Sequence, residues 1–463
     1  MAWRPFRFFR WSRDLSREDN AIAIYNRGTR FSSHGHHEEA LEWYERALSL
    51  DPAHAESHYG RGAAFAALGR HEEAIRTFED ALALRPNFLS ALYGCGVSFA
   101  AMNQHAEAIA CYDRVLAQEP QHVDALYGRG LCSLAAGDLP RGFADLFAGR
   151  DYREGMKAWE RWIVKLSSPW RGEAPLAGKT ILLYSDGGLG DTIQFSRYAP
   201  LVAERGARVV LRVPRKVRGL IGVLPLVDRV IAEGERLPKH DFHCSLLRLP
   251  LVLRTTLDTI PAVRRYLRAD TAPVASWAKR LGPRRKPRVG IAWAGSKFNH
   301  PYNARRTIPL NVLQPLADLD CELISLQRPI PREDRAALRA MPRLKRLGES
   351  LTDFAEISAL IENLDLVISV DSAMAHLAGS LGKPVWVLLS YTPDWRWFIG
   401  RTDSPWYPSA RLFRQTVPGD WRGVVANVQT AWGQFVSELS LGGNDHVDRP
   451  LTINRIECRT PDA

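Results

Sequence analysis

Apolar and small positions in the first third of the chain recur with a long period. Tyr25, Tyr59, Tyr93 and Tyr127 lie 34 residues apart, and Gly28, Gly62, Gly96 and Gly130 keep the same interval. Ala40, Ala74 and Ala108 fall in step, as do Pro52, Pro86 and Pro120, while Gly35 and Gly69 mark the turn between two helical segments of each unit. Small residues let helices approach closely, and the prolines end each second helix. From Lys179 the texture changes to short apolar runs alternating with helical stretches. TILLYS (180–185) and ARVVLRV (207–213) predict strands, separated by a Gly-rich loop to Asp191 and a helix over TIQFSRYAPLVAERG. That order predicts a parallel βαβ unit. After the Pro- and Arg-rich GPRRKPR (282–288), the runs RVGIAWAG, ELISLQ (322–327), LDLVISV (364–370) and PVWVLL (384–389) predict the buried strands of a second sheet. Two doubly wound sheets facing one another would leave a cleft at their carboxyl ends, where open α/β sheets bind ligands.

The repeated part resembles the tetratricopeptide repeat, whose paired helices stack into a superhelix with a concave face. Three repeats are regular. The fourth departs after Gly137, with Gly142 in place of the alanine and Glu154 in place of the proline, and is expected to cap the array. A groove of this kind would hold a protein or peptide; a short array could instead pack only against its own catalytic part. His37, His71 and His105 share one repeat position, so His34, His36 and His37 are read as turn and helix-start chemistry, and no metal is expected there.

Composition narrows the class. A chain of 463 residues fits two or three domains. With 46% hydrophobic and 24% charged residues it is a core-forming protein, and its apolar runs fall well short of the roughly 20 residues that span a bilayer. The excess of 62 Lys plus Arg over 51 Asp plus Glu favours anionic partners. Cys95, Cys111, Cys132, Cys244, Cys321 and Cys458 form no C-x-x-C pair, which fits a reducing cytoplasm. Residues 1–17 interleave Trp3, Phe6, Phe8, Phe9 and Trp11 with Arg4, Arg7, Arg10, Arg13 and Arg17. That mixture suits a peripheral contact with an anionic inner-membrane surface; a basic tail or a helix capping the first repeat are the alternatives. The basic runs around Arg215 and Arg285 accompany no nucleic-acid motif and are read as solvated surface, so no nucleic-acid partner is expected. From Gly442 the chain turns polar and is expected to be a disordered tail.

Two segments carry chemistry. In GGLGDTIQF (187–195), Gly187, Gly188 and Gly190 allow close backbone approach or positive φ before a helix start, with Thr192 and Gln194 following. Asp191 either caps that helix, with Gln194 completing a capping-box-like pattern, or accepts a proton from an acceptor hydroxyl. In LDLVISVDSAMAHLAGSLGKPVW (364–386) a strand ends at Val370 and Asp371 and Ser372 begin a helix whose amides would suit a diphosphate. His376 falls one turn after Ser372, either within reach of phosphate or ribose or packed in the core. The segment 391–415 concentrates Trp395, Trp397, Trp406 and Tyr407 with Arg396 and Arg401, and its Pro, Gly and Asp punctuation favours an aromatic lip lining a substrate over core packing. Asp318-Leu319-Asp320 precedes a strand and is read as a solvated turn.

The GGLGD loop, WAGS (293–296, with Gly295 and Ser296) and VDSAMAHLAGSLGKPVW, in that order, resemble glycosyltransferase family 9, which includes the ADP-heptose lipopolysaccharide heptosyltransferases. The resemblance covers roughly residues 173–436. It implies an α/β GT-B-like fold of two Rossmann-like halves following the α-solenoid. It also implies a nucleotide diphosphate sugar as donor substrate, no cofactor and no metal, and inversion at the anomeric centre. Asp191 would be the catalytic base, and Asp371, Ser372, Ala373 and His376 the donor loop. Ala373 stands where the family has glycine, and Arg306 in RRTIP (305–309) stands near the place of a family lysine.

The expected organisation is a basic aromatic segment (1–20), repeats (21–154), a first, acceptor half (173–281), a second, nucleotide-sugar half (286–436) and a tail (442–463). The expected function is hexosyl or heptosyl transfer to a protein or glycan hydroxyl, in the cytoplasm or peripheral to the inner membrane. The alternative is a non-catalytic repeat scaffold with a degenerate transferase-like part.

Overall fold

The computed structural model describes residues 20–152, 166–295, 305–348, 351 and 353–441. The expectations for residues 1–17, Glu154, Ser296, Cys458 and the 442–463 tail lie outside the described residues. The chain falls into two compact units, one formed by residues up to Val263 with Thr392–Pro408, the other by Arg264–Tyr391 and the chain from Ser409. No helix among the described residues is long and apolar enough to cross a membrane.

The first unit opens with helices α1 (Ala21–Ser33), α2 (His37–Leu50), α3 (Ala55–Ala67), α4 (His71–Leu84), α5 (Leu89–Ala101), α6 (His105–Gln118), α7 (Val123–Ala136) and α8 (Leu139–Tyr152). One interaction, repeated every 34 residues, sets their stacking. A Cβ on Gly28 or Gly60 would come within 2.8 or 2.6 Å of the Tyr44 ring. The Phe78 ring meets Gly62 and Gly94 at 2.7 and 2.6 Å in the same way, and the Tyr112 ring meets Gly96 and Gly128 at 2.7 and 2.6 Å. Each ring therefore fills a hole made by glycines of its own repeat and the next. In the fourth repeat Leu146 replaces the ring. The backbones then close in, and a Cβ on Gly130 would lie 3.0 Å from the Gly142 carbonyl. The fourth repeat thus forms a full helix pair despite its altered pattern. The turns between paired helices need a left-handed residue, supplied by Gly35 (φ 83°), Gly69 (76°), Asn103 (61°) and Gly137 (94°); asparagine tolerates that region better than other side chains.

The same unit contains a parallel five-stranded sheet of order β1-β5-β2-β3-β4, formed by Ser168–Pro169, Phe242–Ser245, Thr180–Tyr184, Arg208–Val213 and Arg229–Ala232 respectively. The helix expected over 192–206 is broken. α9 runs Leu189–Phe195, a 3-10 turn covers Ser196–Tyr198, and a short helix Ala199–Ala203 follows. Pro200 is the reason: it has no amide hydrogen to continue the ladder, and its ring excludes the carbonyl four residues back.

The second unit holds a parallel sheet of order β10-β9-β8-β6-β7, from Ala410–Arg414, Val385–Leu389, Leu366–Val370, Arg288–Ala292 and Glu322–Ser325. β6, β8 and β9 are buried along their whole length, as expected of strands covered on both faces. α10 (Thr271–Leu281) belongs here and not with the first sheet. Its Trp277 Nε1 donates to Glu356 Oε1 at 2.8 Å on α11 (Phe354–Glu362), and Asn363 Nδ2 donates to the Val274 carbonyl at 3.0 Å. The change of unit therefore falls at Val263, ahead of GPRRKPR. α12 (Ala373–Ser380) follows β8. α13 (Trp421–Leu441) lays Trp421, Val424, Val428 and Trp432 into a core with Trp386 and Phe413.

Two outcomes follow. Gly62→Ala, though it favours the helix by about 1 kcal/mol, forces the Phe78 ring to move and should lower stability by about 1–3 kcal/mol net. Urea unfolding checks this, and Phe78→Leu added to Gly62→Ala should recover part of the loss; unchanged or raised stability in Gly62→Ala contradicts the account. His243 on β5 is buried with Nδ1 2.9 Å from Ser167 Oγ, and burial, helped by His240, pushes its pKa down from 6.5 to about 4. Between those values the unfolded chain binds a proton that the folded chain refuses, so stability is full above about pH 6.5 and falls toward pH 4. Unfolding midpoints at pH 7 and pH 5 should differ less in His243→Gln than in the wild type.

Candidate functional site

In each sheet the motif residues emerge where the strand order reverses. In the first sheet β2 lies between β5 and β3, so the chain leaves β2 for one side and reaches β5 on the other. In the second, β6 lies between β8 and β7. Such switch points leave a crevice beyond the carboxyl ends of the two diverging strands. The turn from β2 into α9 carries Gly187–Asp191, while the loops after β6 and β8 carry Trp293–Gly295 and Asp371–Ser372.

The first motif departs from expectation in detail. α9 starts at Leu189 with Gly188 as its N-cap, so Asp191 is the third helical residue and not the cap. Its Oδ2 accepts from the Gly188 amide at 2.6 Å, the reaching-back half of a capping box. Gly187, Gly188 and Gly190 all have negative φ or extended backbone. The glycine at 187 serves space: a Cβ there would lie 2.4 Å from Asp191 Oδ2. Thr192 and Gln194 are buried supports. Thr192 Oγ1 lies 2.6 Å from Ser185 Oγ and donates to the Gly188 carbonyl at 3.0 Å, tying loop to strand.

Asp191 has a partner that the motif does not show. Arg396 Nη2 donates to Asp191 Oδ1 at 2.6 Å, its Nε to Gln194 Oε1 at 3.0 Å and its Nη1 to Asp394 Oδ1 at 2.8 Å. The Asp191 side chain keeps 29% of its surface exposed, against 11% for Arg396. A carboxylate offers about four lone-pair directions, so two hydrogen bonds leave Asp191 able to take another.

The aromatic segment is not a substrate lip. Trp395, Trp397, Trp406 and Tyr407 are all buried. Trp395 meets Phe143 of α8 edge-on at 5.4 Å and Phe195 of α9 at 6.4 Å, and Trp406 meets Phe195 at 5.9 Å. Pro, Gly and Asp do make the segment a loop, but its rings are the packing between repeats and sheet. Arg197, also buried, lies over the Tyr407 ring at 4.6 Å and donates to the Gln194 carbonyl at 2.8 Å.

In the second unit Ser372 caps α12, its Oγ accepting from the Met374 amide at 3.2 Å and lying 2.9 Å from Ser369 Oγ. Asp371 is buried, and its Oδ2 receives Arg306 Nη1 at 3.3 Å. Arg306 therefore meets the loop after β8 through its aspartate. Ala373 is half-buried and His376 buried, one turn into the helix. Gly295 is buried at the end of the β6 loop. That loop is fixed by Gln327, whose Oε1 accepts from the Trp293 and Ala294 amides at 3.0 Å each, and by Asp334, which accepts from Trp293 Nε1 at 2.7 Å. Neither Gln327 nor Asp334 belongs to a motif, and nothing in the local sequence marks them. Asp318 and Asp320 are exposed, as a solvated turn requires. Among the described residues no three His, Cys, Asp or Glu side chains cluster so as to hold a metal ion.

Known proteins match both parts of the chain. Residues 25–87 and 95–155 match the tetratricopeptide repeat model, and residues 347–421 match that of glycosyltransferase family 9 (heptosyltransferase). Protein FlbA of Caulobacter vibrioides is 28% identical over 324 residues, covering 61% of this chain and 53% of its own length. The chain thus spans about half the length of the curated relative it matches. A solved MamA fragment from Desulfovibrio magneticus RS-1 shares 28% identity over 29% of this chain and 77% of its own, with a TM-score of 0.28. The glycosyl transferase family 9 structure from Veillonella parvula DSM 2008 shares 12% identity over 57% of this chain and 99% of its own, with a TM-score of 0.44. The chain joins tetratricopeptide repeats to a glycosyltransferase family 9 segment, and that segment takes in β8, α12, β9 and β10.

Proposed function

We propose that the protein transfers a sugar from a nucleotide diphosphate sugar to a hydroxyl acceptor, with the repeats recruiting a protein that carries or delivers that acceptor. The observation that supports this most is the placing of each motif at the switch point of its own sheet. One such point presents a carboxylate, the other a helix start with a guanidinium. The family 9 match of residues 347–421 takes in that helix start, though not Arg306, and points to sugar transfer.

In this reading Asp191 removes the proton of the acceptor hydroxyl as its oxygen bonds to the anomeric carbon. The bond from that carbon to the diphosphate oxygen breaks, and the electron pair leaves with the nucleotide diphosphate. Attack opposite the leaving group inverts the anomeric centre. Arg306 and the positive end of the α12 dipole meet the charge of the diphosphate as it departs, a role for fixed positive potential that requires no metal ion. Ser372 orders that helix start, its Oγ capping the Met374 amide from within the same turn. Ala373, in place of the family's glycine, is the feature that favours the rival reading, a scaffold that retains the fold without turnover.

Calorimetry with ADP and UDP and a turnover assay with a panel of their sugars separate the two readings. The enzyme reading predicts binding that weakens at least tenfold in Arg306→Ala. It also predicts turnover that falls about 10²- to 10⁴-fold in Asp191→Asn with nucleotide affinity retained. Wild-type turnover in Asp191→Asn removes it as the base, and no nucleotide binding at millimolar concentration favours the scaffold.

A further inference from the structure

The chain leaves the second sheet after β9, contributes Thr392–Pro408 to the first unit, and returns as β10. This excursion acts as a strap with two attachments. On the repeats, Thr392 Oγ1 donates to the Ala101 carbonyl of α5 at 3.0 Å, the Ile399 amide donates to the Ala135 carbonyl of α7 at 3.1 Å, and Trp395 packs on Phe143 of α8. On α9, Arg396 binds Asp191 and Gln194 and lies over Phe195 at 5.6 Å. Trp395 and Arg396 are neighbours, and the guanidinium stacks on the Trp395 ring at 4.3 Å. Anything that shifts Trp395 on the repeats therefore shifts Arg396 on Asp191.

We propose that Arg396 is a positioning residue for Asp191 and that the last two repeats, by seating the strap, set the orientation of this carboxylate. The repeats are then part of the machinery of transfer as well as a surface for recruitment. The inference rests on the reading of Asp191 as the base.

The planar guanidinium explains why arginine stands here. Its nitrogens meet Asp191, Asp394 and Gln194 in one plane while its face rests on Trp395, a set that a lysine ammonium cannot reproduce. Gln194 is buried on α9 and turns its carbonyl oxygen to Arg396. Both oxygens of Asp191 are oriented, one by the strap and one by Gly188. Misplacing a reacting group by about 1 Å can cost about a hundredfold in rate.

The test uses the full chain. In Arg396→Gln, release of ADP or UDP from the sugar that supports wild-type turnover should fall about ten- to hundredfold in kcat, with the donor KM within about twofold of wild type. Arg396→Lys should recover part of the loss. Hydrogen–deuterium exchange gives a readout independent of activity: Phe143→Ala on α8, or the milder Phe143→Leu if the first does not fold, should speed exchange in both 395–399 and 188–195. Wild-type kcat in Arg396→Gln, with Asp191→Asn inactive, overturns the positioning role and leaves the base intact. Unchanged exchange at 188–195 in a folded Phe143 variant overturns the link to the repeats. Full turnover in Asp191→Asn defeats the base reading instead, and the exchange arm alone then decides whether the strap holds α9.

Discussion

A carboxylate proposed to serve as a base must stay in one orientation while keeping a lone pair for its substrate, and the contacts of Asp191 are compatible with that demand. Asp191 is held from one side by the amide of Gly188 and from the other by Arg396. The first restraint comes from the same loop. It needs glycine at 187, because a side chain there would occupy the place of the carboxylate. The second comes from far along the chain and needs the strap to be seated. Local and distant restraints thus converge on one side chain that remains partly open to its surroundings.

The strap gives the repeats a task beyond presenting a groove. In the array itself, aromatic rings set in glycine holes fix each repeat on the next, and at its last member the ring gives way to Leu146 with a closer backbone approach. The outer surface of α8 is then used by Phe143 to receive Trp395. The second unit follows a similar economy. Gln327 and Asp334, buried and outside any motif, hold the loop after β6 through Trp293, while Ser372 shapes the start of α12 and Arg306 neutralises Asp371. The loop after β6 and the start of α12 are thus each fixed by hydrogen bonds from buried or capping side chains.

The parts legible in the sequence are those whose physical cause recurs or is local. The repeats could be read because one ring-and-glycine contact leaves its mark every 34 residues, and even Asn103 keeps the place of Gly35 and Gly69. β2, β3, β6, β7, β8 and β9 could be read because their buried centres demand short apolar runs. The two-residue β1 leaves too little pattern, and β10 lies in a stretch whose Pro, Gly and Asp read as a loop. Asp191 was legible as a candidate, but its helix position was not, since one residue of uncertainty at a helix start exchanges a cap for the third helical position. Arg396 was invisible as its partner. It lies 205 residues away, and nothing local distinguishes an arginine that pairs across the fold from one that faces solvent. The tryptophans of the strap misled for a related reason: composition shows a loop rich in rings but not which side of it is covered.

The account as a whole stands on the second unit accepting a diphosphate at the start of α12. A crystal structure of the full chain grown with ADP, UDP or one of their sugars examines this most directly. The account predicts the diphosphate at the N-terminal end of α12, with Arg306 in hydrogen-bonding range. A nucleotide bound elsewhere, or that helix start left without ligand at millimolar nucleotide, would contradict it.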